Sequence, residues 1–149
     1  MPSPIGMLSK AIIRRWNAMD AALTFTGELW NDEIPRDKKL PYVVFEIPDG
    51  GSIEGRTSGT TGYRKRIQVT QVEFNIYERG RAAAGSLADE LMTVYDDQPL
   101  DLKSSEMEVL GVRYFNDYCV KEDETVYRWV VTFEIRYWIN ERVNSVTLT

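Results

Sequence analysis

The regular alternation of side chains between residues 126 and 139 constrains the fold more than any other feature of the sequence. Successive side chains of a β-strand point to opposite faces, so a period of two predicts a strand with one buried face. One parity is apolar and the other is mostly polar: the apolar positions are Trp129, Val131, Phe133, Ile135 and Tyr137, and the polar positions are Arg128, Thr132, Glu134 and Arg136. Such a strand needs partner strands beside it and a layer of helices over its apolar face.

Three further segments have strand character, namely residues 40–47, 63–77 and 106–120. In the second of them, Ile67 and Val69 share one parity, whereas Val72, Phe74 and Ile76 share the other. A strand cannot change faces without an extra residue, so the change of parity predicts a β-bulge near residues 70–71. Alternatively, the first half of this segment leaves the main sheet as an arm. In the third segment, Gly111 indicates a bulge or a close backbone contact.

Two segments have the three-to-four-residue spacing of an amphipathic helix. Residues 5–23 carry one apolar stripe, formed by Ile5, Leu8, Ile12, Trp16, Met19 and Leu23. Residues 78–95 carry a second stripe, formed by Ala84, Leu87, Leu91 and Val94. The element order is then α-β-β-α-β-β. We predict an α+β fold in which two helices pack on one face of a mostly antiparallel four-stranded sheet.

The chain has 149 residues and shows no internal repeat, so we predict a single domain over residues 1–149 with a frayed polar tail at 140–149. No apolar run approaches the ~20 residues that a membrane-spanning helix needs. The N-terminal residues lack the pattern of a signal peptide, so we expect the protein to be made in a cytoplasm.

A long glycine-rich segment between the first two predicted strands is the strongest candidate for a binding region. Residues 48–62 contain five glycines with serines and threonines between them, and long loops in compact domains are usually functional. We expect residues 49–62 to be disordered in the free subunit and ordered on assembly, although a plain linker remains an alternative. The predicted partner-binding residues are Gly50, Gly51, Ile53, Arg56, Gly59, Gly62, Arg64, Lys65 and Arg66.

Composition argues against an enzyme. The chain has no histidine, which removes the most frequent general base and metal ligand, and its one cysteine, Cys119, permits no internal disulfide. We predict no catalytic residue, no metal and no cofactor. The acidic pair at 96–97 and the acidic triplet at 122–124 are the alternative, as possible Mg²⁺ or Ca²⁺ ligands.

The net charge of −5 argues against strong general binding of nucleic acid. A base-stacking sheet is nevertheless a second alternative, because aromatic side chains recur along the last strand. Those aromatic side chains are Tyr127, Trp129, Phe133 and Tyr137.

With these elements placed, the chain resembles the tail terminator proteins of long-tailed bacteriophages. The resemblance lies in the opening strand Leu-Pro-Tyr-Val-Val-Phe at 40–45, the strand Val-Glu-Phe-Asn-Ile-Tyr at 72–77, the helix at 83–91 and the closing strand at 128–137. It covers roughly residues 5–138. The segment at 48–62 is longer than the usual hairpin of the family.

The resemblance implies a structural virion protein. Family members form a ring, typically a hexamer, that caps the head-proximal end of the tail tube, stops its polymerisation and forms the surface that joins the head connector. The implied partners are further copies of the chain, the major tail tube protein and the connector, with DNA passing through the bore without specific binding. The nearest alternative is another head–tail junction component, such as a connector adaptor, a stopper or a minor tail protein.

Overall fold

The computed structural model describes residues 4–19, 29–31, 39–48, 51–57, 62–104 and 106–142. The elements in chain order are α1 (Pro4–Met19), β1 (Leu29–Asn31), β2 (Tyr42–Glu46), β3 (Ser52–Arg56), β4 (Tyr63–Arg79), α2 (Arg81–Tyr95), β5 (Met107–Lys121) and β6 (Val126–Arg142). None of the helices in these ranges has the length and apolar character that spanning a membrane requires.

The six strands form one mixed sheet. Its order is β1-β2-β4-β6-β5, and β3 also pairs with β4. Because β6 occupies one side of β4 along its whole length, β2 and β3 lie end to end on the other side, against residues 73–77 and 66–69 respectively. The β1–β2 pair is parallel and every other pair of strands is antiparallel.

The predicted fold class is therefore wrong in two respects. In the described part of the chain, the sheet has six strands and is mixed, and the element order is α-β-β-β-β-α-β-β. The two additional strands are short: β1 lies in a region without hydrophobic periodicity, and β3 lies inside the glycine-rich segment that was predicted to be a loop. Neither segment carries a recognisable strand pattern, and each is held in place by pairing with a longer neighbour.

The main core lies between the two helices and one face of the sheet. Leu8 and Ile12 of α1, and Leu91 of α2, belong to the same buried cluster as Phe74 of β4 and Phe133 of β6. Tyr95 joins the two helices, because its hydroxyl donates a 2.8 Å hydrogen bond to the Ile12 carbonyl. Burial of this side chain raises the pKa of its phenol.

The predicted bulge at residues 70–71 is absent. β4 and β6 pair in one continuous register from Tyr63↔Arg142 to Arg79↔Val126. The buried Gln68 and Thr70 therefore occupy the same face as Val72, and Ile67 and Val69 lie on the opposite face. The apolar side chains of β4 change parity because Gln68 and Thr70, which are polar, occupy positions on the buried face. A pattern of apolar residues alone cannot show that polar residues are buried.

The alternation of the last strand is realised along β6. Val131, Phe133, Ile135 and Tyr137 are almost completely buried, and Trp129 is half-buried at the edge of the core. β6 extends to Arg142, beyond the predicted end of the strand, while residues 143–149 of the predicted tail lie outside the described part of the chain.

Candidate assembly surfaces

Within the predicted binding segment, the described residues 52–56 form β3, which pairs with β4 along one lateral margin of the sheet. β3 pairs antiparallel with β4 from Ser52↔Val69 to Arg56↔Arg66. Beyond β3, the Thr57 amide donates a 2.9 Å hydrogen bond to the Lys65 carbonyl, and the Lys65 amide donates one of 2.9 Å to the Thr57 hydroxyl. We call residues 51–57 and 62–66 the basic hairpin. The expectation that the whole of 49–62 lacks structure in the free chain is thus wrong at β3.

One glycine of this segment is required by its backbone. Gly51 has a φ of +78°, and a Cβ atom at this position would lie 2.3 Å from the carbonyl oxygen of Val69. Only glycine can bring the start of β3 so close to β4. Gly62 also has a positive φ, +82°, but open space surrounds the position of its missing Cβ.

The structure brings most of the predicted partner-binding residues together. Seven of them lie in the basic hairpin: Gly51, Ile53, Arg56, Gly62, Arg64, Lys65 and Arg66. Gly50 and Gly59 lie outside the described residues. Ile53 is 46% exposed, and the Lys65 ammonium lies 4.3 Å from the centroid of the Trp138 ring, which is a cation–π distance.

The opposite margin of the sheet carries residues that sequence reasoning missed. β5 is the outermost strand on this side, and its pairing with β6 shifts register twice, once between Val109 and Gly111 and once between Tyr114 and Asn116. Leu110 and Phe115 are the extra residues at the two shifts, and each is 50% exposed. Gly111 signalled the first shift, and the adjacent aromatic pair at 114–115 interrupts the alternation at the second.

A turn covers the first half of the outer edge of β5. The Asp97 amide donates to the Val112 carbonyl at 3.0 Å, and the Tyr114 amide donates to the Asp96 carboxylate at 2.8 Å. Within the described ranges, no strand pairs with the outer edge of β5 from Phe115 to Lys121. We call residues 96–104 and 106–124 the β5 margin.

The acidic clusters considered as metal ligands stabilise turns. One Asp123 carboxylate oxygen accepts 2.8 Å hydrogen bonds from the amides of Thr125 and Val126, and these bonds lower the pKa of Asp123. Glu122 pairs with the Arg128 guanidinium at 2.5 Å. In the ranges that the structure describes, no three His, Cys, Asp or Glu side chains form a group that could hold a metal ion.

Burial rules out base stacking for two of the four rings considered, Phe133 and Tyr137, while Tyr127 and Trp129 are partly exposed. Phe133 is 0% and Tyr137 1% exposed, because the helices cover this face of the sheet. Rings that already pack in a core cannot stack on nucleic-acid bases.

The face of the sheet opposite the main helical core carries a carboxyl pair. Glu46 of β2 lies directly across from Glu73 of β4. Partial burial, together with a hydrogen bond and repulsion from Glu46, raises the pKa of Glu73, and Arg128 opposes this shift. The raised pKa means that the ionised form of Glu73 opposes folding.

Comparison with known proteins defines the class of the molecule and then its family. The fold matches a chain from a solved structure described as the virion of a native gene transfer agent particle, with a TM-score of 0.66 and 19% identity over 92% of this chain and 99% of that chain. A second solved structure matches with a TM-score of 0.54 and 15% identity over 90% of this chain and 94% of that chain. No curated protein matches the sequence significantly.

The family is shown by the sequence itself. Residues 10–138 match the family described as tail completion protein gp17. The chain belongs to this family, and it is a structural protein of bacteriophage tails. The predicted resemblance to tail completion proteins is confirmed.

Proposed function

We propose that this protein caps the head-proximal end of the phage tail tube as a ring, ends tube polymerisation and forms the surface to which the head connector binds. The family match over residues 10–138 carries the proposal, since completing a tail means ending the growth of its tube. The similarity of fold to a chain of an assembled virion particle supports it.

The sheet has two different margins, and this asymmetry supports a ring. A surface that binds a different surface on the next copy makes a heterologous contact, which closes into a ring when the rotation between copies allows it. The basic hairpin and the β5 margin differ in charge and in shape, so they suit a heterologous contact. We propose six copies, with the tube protein and the connector bound to the two ends of the ring.

A closed ring around the DNA path must let DNA slide. Six copies of a chain with a net charge of −5 carry a formal charge of −30. A predominantly acidic ring repels the phosphate backbone, so DNA passes through the bore without specific binding. Assembly of the ring takes place in the host cytoplasm, before the tail joins the head.

Removal of the gene tests this function. Cells infected with a phage that lacks it should accumulate tail tubes of uncontrolled length, or tails that fail to join filled heads, and expression of the protein in trans should restore normal particles. Measured tail lengths that stay uniform, together with tails that still join heads, would contradict capping. If tails lacking the protein keep a uniform length and a capped end but lose another layer of the neck, the protein would instead be an adaptor, a stopper or a minor tail protein.

A further inference from the structure

Exposed apolar side chains in the described part of the chain are concentrated at the two lateral margins of the sheet. The large ones are Ile53 on β3 and Leu110, Tyr114, Phe115 and Tyr118 on β5. Single exposed apolar side chains are ordinary on protein surfaces, but a group of them along one edge strand marks a contact surface. The two margins are therefore the places where this subunit has apolar surface left to bury.

The two margins also carry opposite charge. Residues 51–66 contain four basic side chains and one acidic side chain, which gives a formal charge of +3. Residues 96–124 contain nine acidic and three basic side chains, which gives −6. Complementary charge favours contact between unlike margins over contact between like margins.

Strand directions permit the two margins to join. β3 is antiparallel to β4, β4 to β6 and β6 to β5, so β5 and β3 run in opposite directions. A rotation about an axis that runs along the strands preserves their direction from copy to copy. β5 of one copy then meets β3 of the next as an antiparallel pair, joined by main-chain hydrogen bonds.

The lengths and the charges agree with that pairing. The second register shift of β5 ends at Asn116, and the regular section that follows, to Lys121, can accommodate the five residues of β3. In the antiparallel arrangement, the basic hairpin extends beyond Arg56 towards the first half of β5. The exposed Asp97 and Asp101 lie there.

We infer that the outer edge of β5, from Phe115 to Lys121, binds β3 of a second copy of this chain, so that one sheet continues from subunit to subunit around the ring. This inference rests on the proposed ring. Ile53 lies opposite Gln68, and Cys119 and Lys121 lie opposite Trp129 and Tyr127, so these side chains share the helix-covered face of the sheet. Ile53 of one copy therefore packs beside Cys119 and Lys121 of its neighbour. The bulges at Leu110 and Phe115 bend the covered part of the strand, and they leave the section after them regular.

Cross-linking between single-cysteine variants tests the pairing in assembled tails. Cys119 is first changed to Ser, and Ile53→Cys and Lys121→Cys are placed in separate copies that carry distinguishable tags. Tails are assembled with either variant alone or with both, and are treated with a short bis-maleimide. Lys10→Cys, at an exposed position on α1, replaces Lys121→Cys in the control mixture.

The expected result is a cross-linked dimer in tails that contain both margin variants. Tails with one variant alone, and tails assembled from the control mixture, should give no cross-linked dimer. Rings at the tail end without a cross-link in the mixture would overturn the edge pairing and leave the proposed function intact. Cross-linking by Ile53→Cys alone would also overturn it, because it would indicate a contact between like margins. The expected cross-link in particles without a ring at the tail end would support the edge pairing and contradict the proposed function.

Discussion

Replacing Phe133 with alanine tests the position of the core. Phe133 is 0% exposed, and its ring centroid lies 5.7 Å from that of Phe74, edge to face, and 5.9 Å from that of Tyr95. Truncating a fully buried phenylalanine costs about 3–5 kcal/mol, and two aromatic contacts are lost with it. We expect Phe133→Ala to lower the free energy of unfolding by about 4 kcal/mol, which is a large fraction of the roughly 5–15 kcal/mol typical of a domain.

Urea denaturation followed by tryptophan fluorescence measures this change. With a slope of about 2 kcal/mol per molar urea, a loss of about 4 kcal/mol moves the midpoint down by about 2 M. Phe115→Ala is the matched control, since the same ring is half exposed there, and surface changes usually stay within about 0.5 kcal/mol. Equal midpoint shifts for the two variants would refute the assignment of the buried face of β6.

Three further stability changes follow from local geometry. Gly51→Ala should destabilise by about 1–3 kcal/mol and more than Gly62→Ala in thermal melts, because both have positive φ but only Gly51 abuts a carbonyl oxygen. Tyr95→Phe should cost about 1 kcal/mol in urea titrations, because a buried hydrogen bond between the two helices is lost. Glu73→Gln should stabilise the protein near neutral pH, because the raised pKa of Glu73 means that its ionised form, beside Glu46, opposes folding. Melting temperatures measured against pH should show that this gain in stability fades as the pH falls towards 4.5.

The longer elements could be predicted from the sequence because their patterns are local. The alternation along β6 and the two helical stripes each depend on side chains within one segment, and the predicted segments correspond to α1, α2, β2, β4, β5 and β6. β1 and β3 could not be predicted in this way. They have three and five residues, and their conformation depends on hydrogen bonds to β2 and β4.

Of the two candidate assembly surfaces, the sequence indicates the basic hairpin but not the β5 margin. The glycine-rich composition of 48–62 indicates the segment that contains β3, although glycines of this kind are more typical of a loop than of a strand. Gly51 in fact allows close pairing with β4. The exposure of Leu110 and Phe115 follows from the register between β5 and β6, which is a property of two strands and cannot be read from either alone.

The central claim is that copies of this chain form a closed ring at the head-proximal end of the tail tube. Electron cryomicroscopy of tails isolated before they join heads tests it most directly, because the free protein can be too weakly associated to form the ring. We predict density for a closed ring, six-fold in symmetry, into which the described fold fits with β5 of each copy beside β3 of the next. A single copy at the tube end, or an open helical arrangement, would contradict the claim.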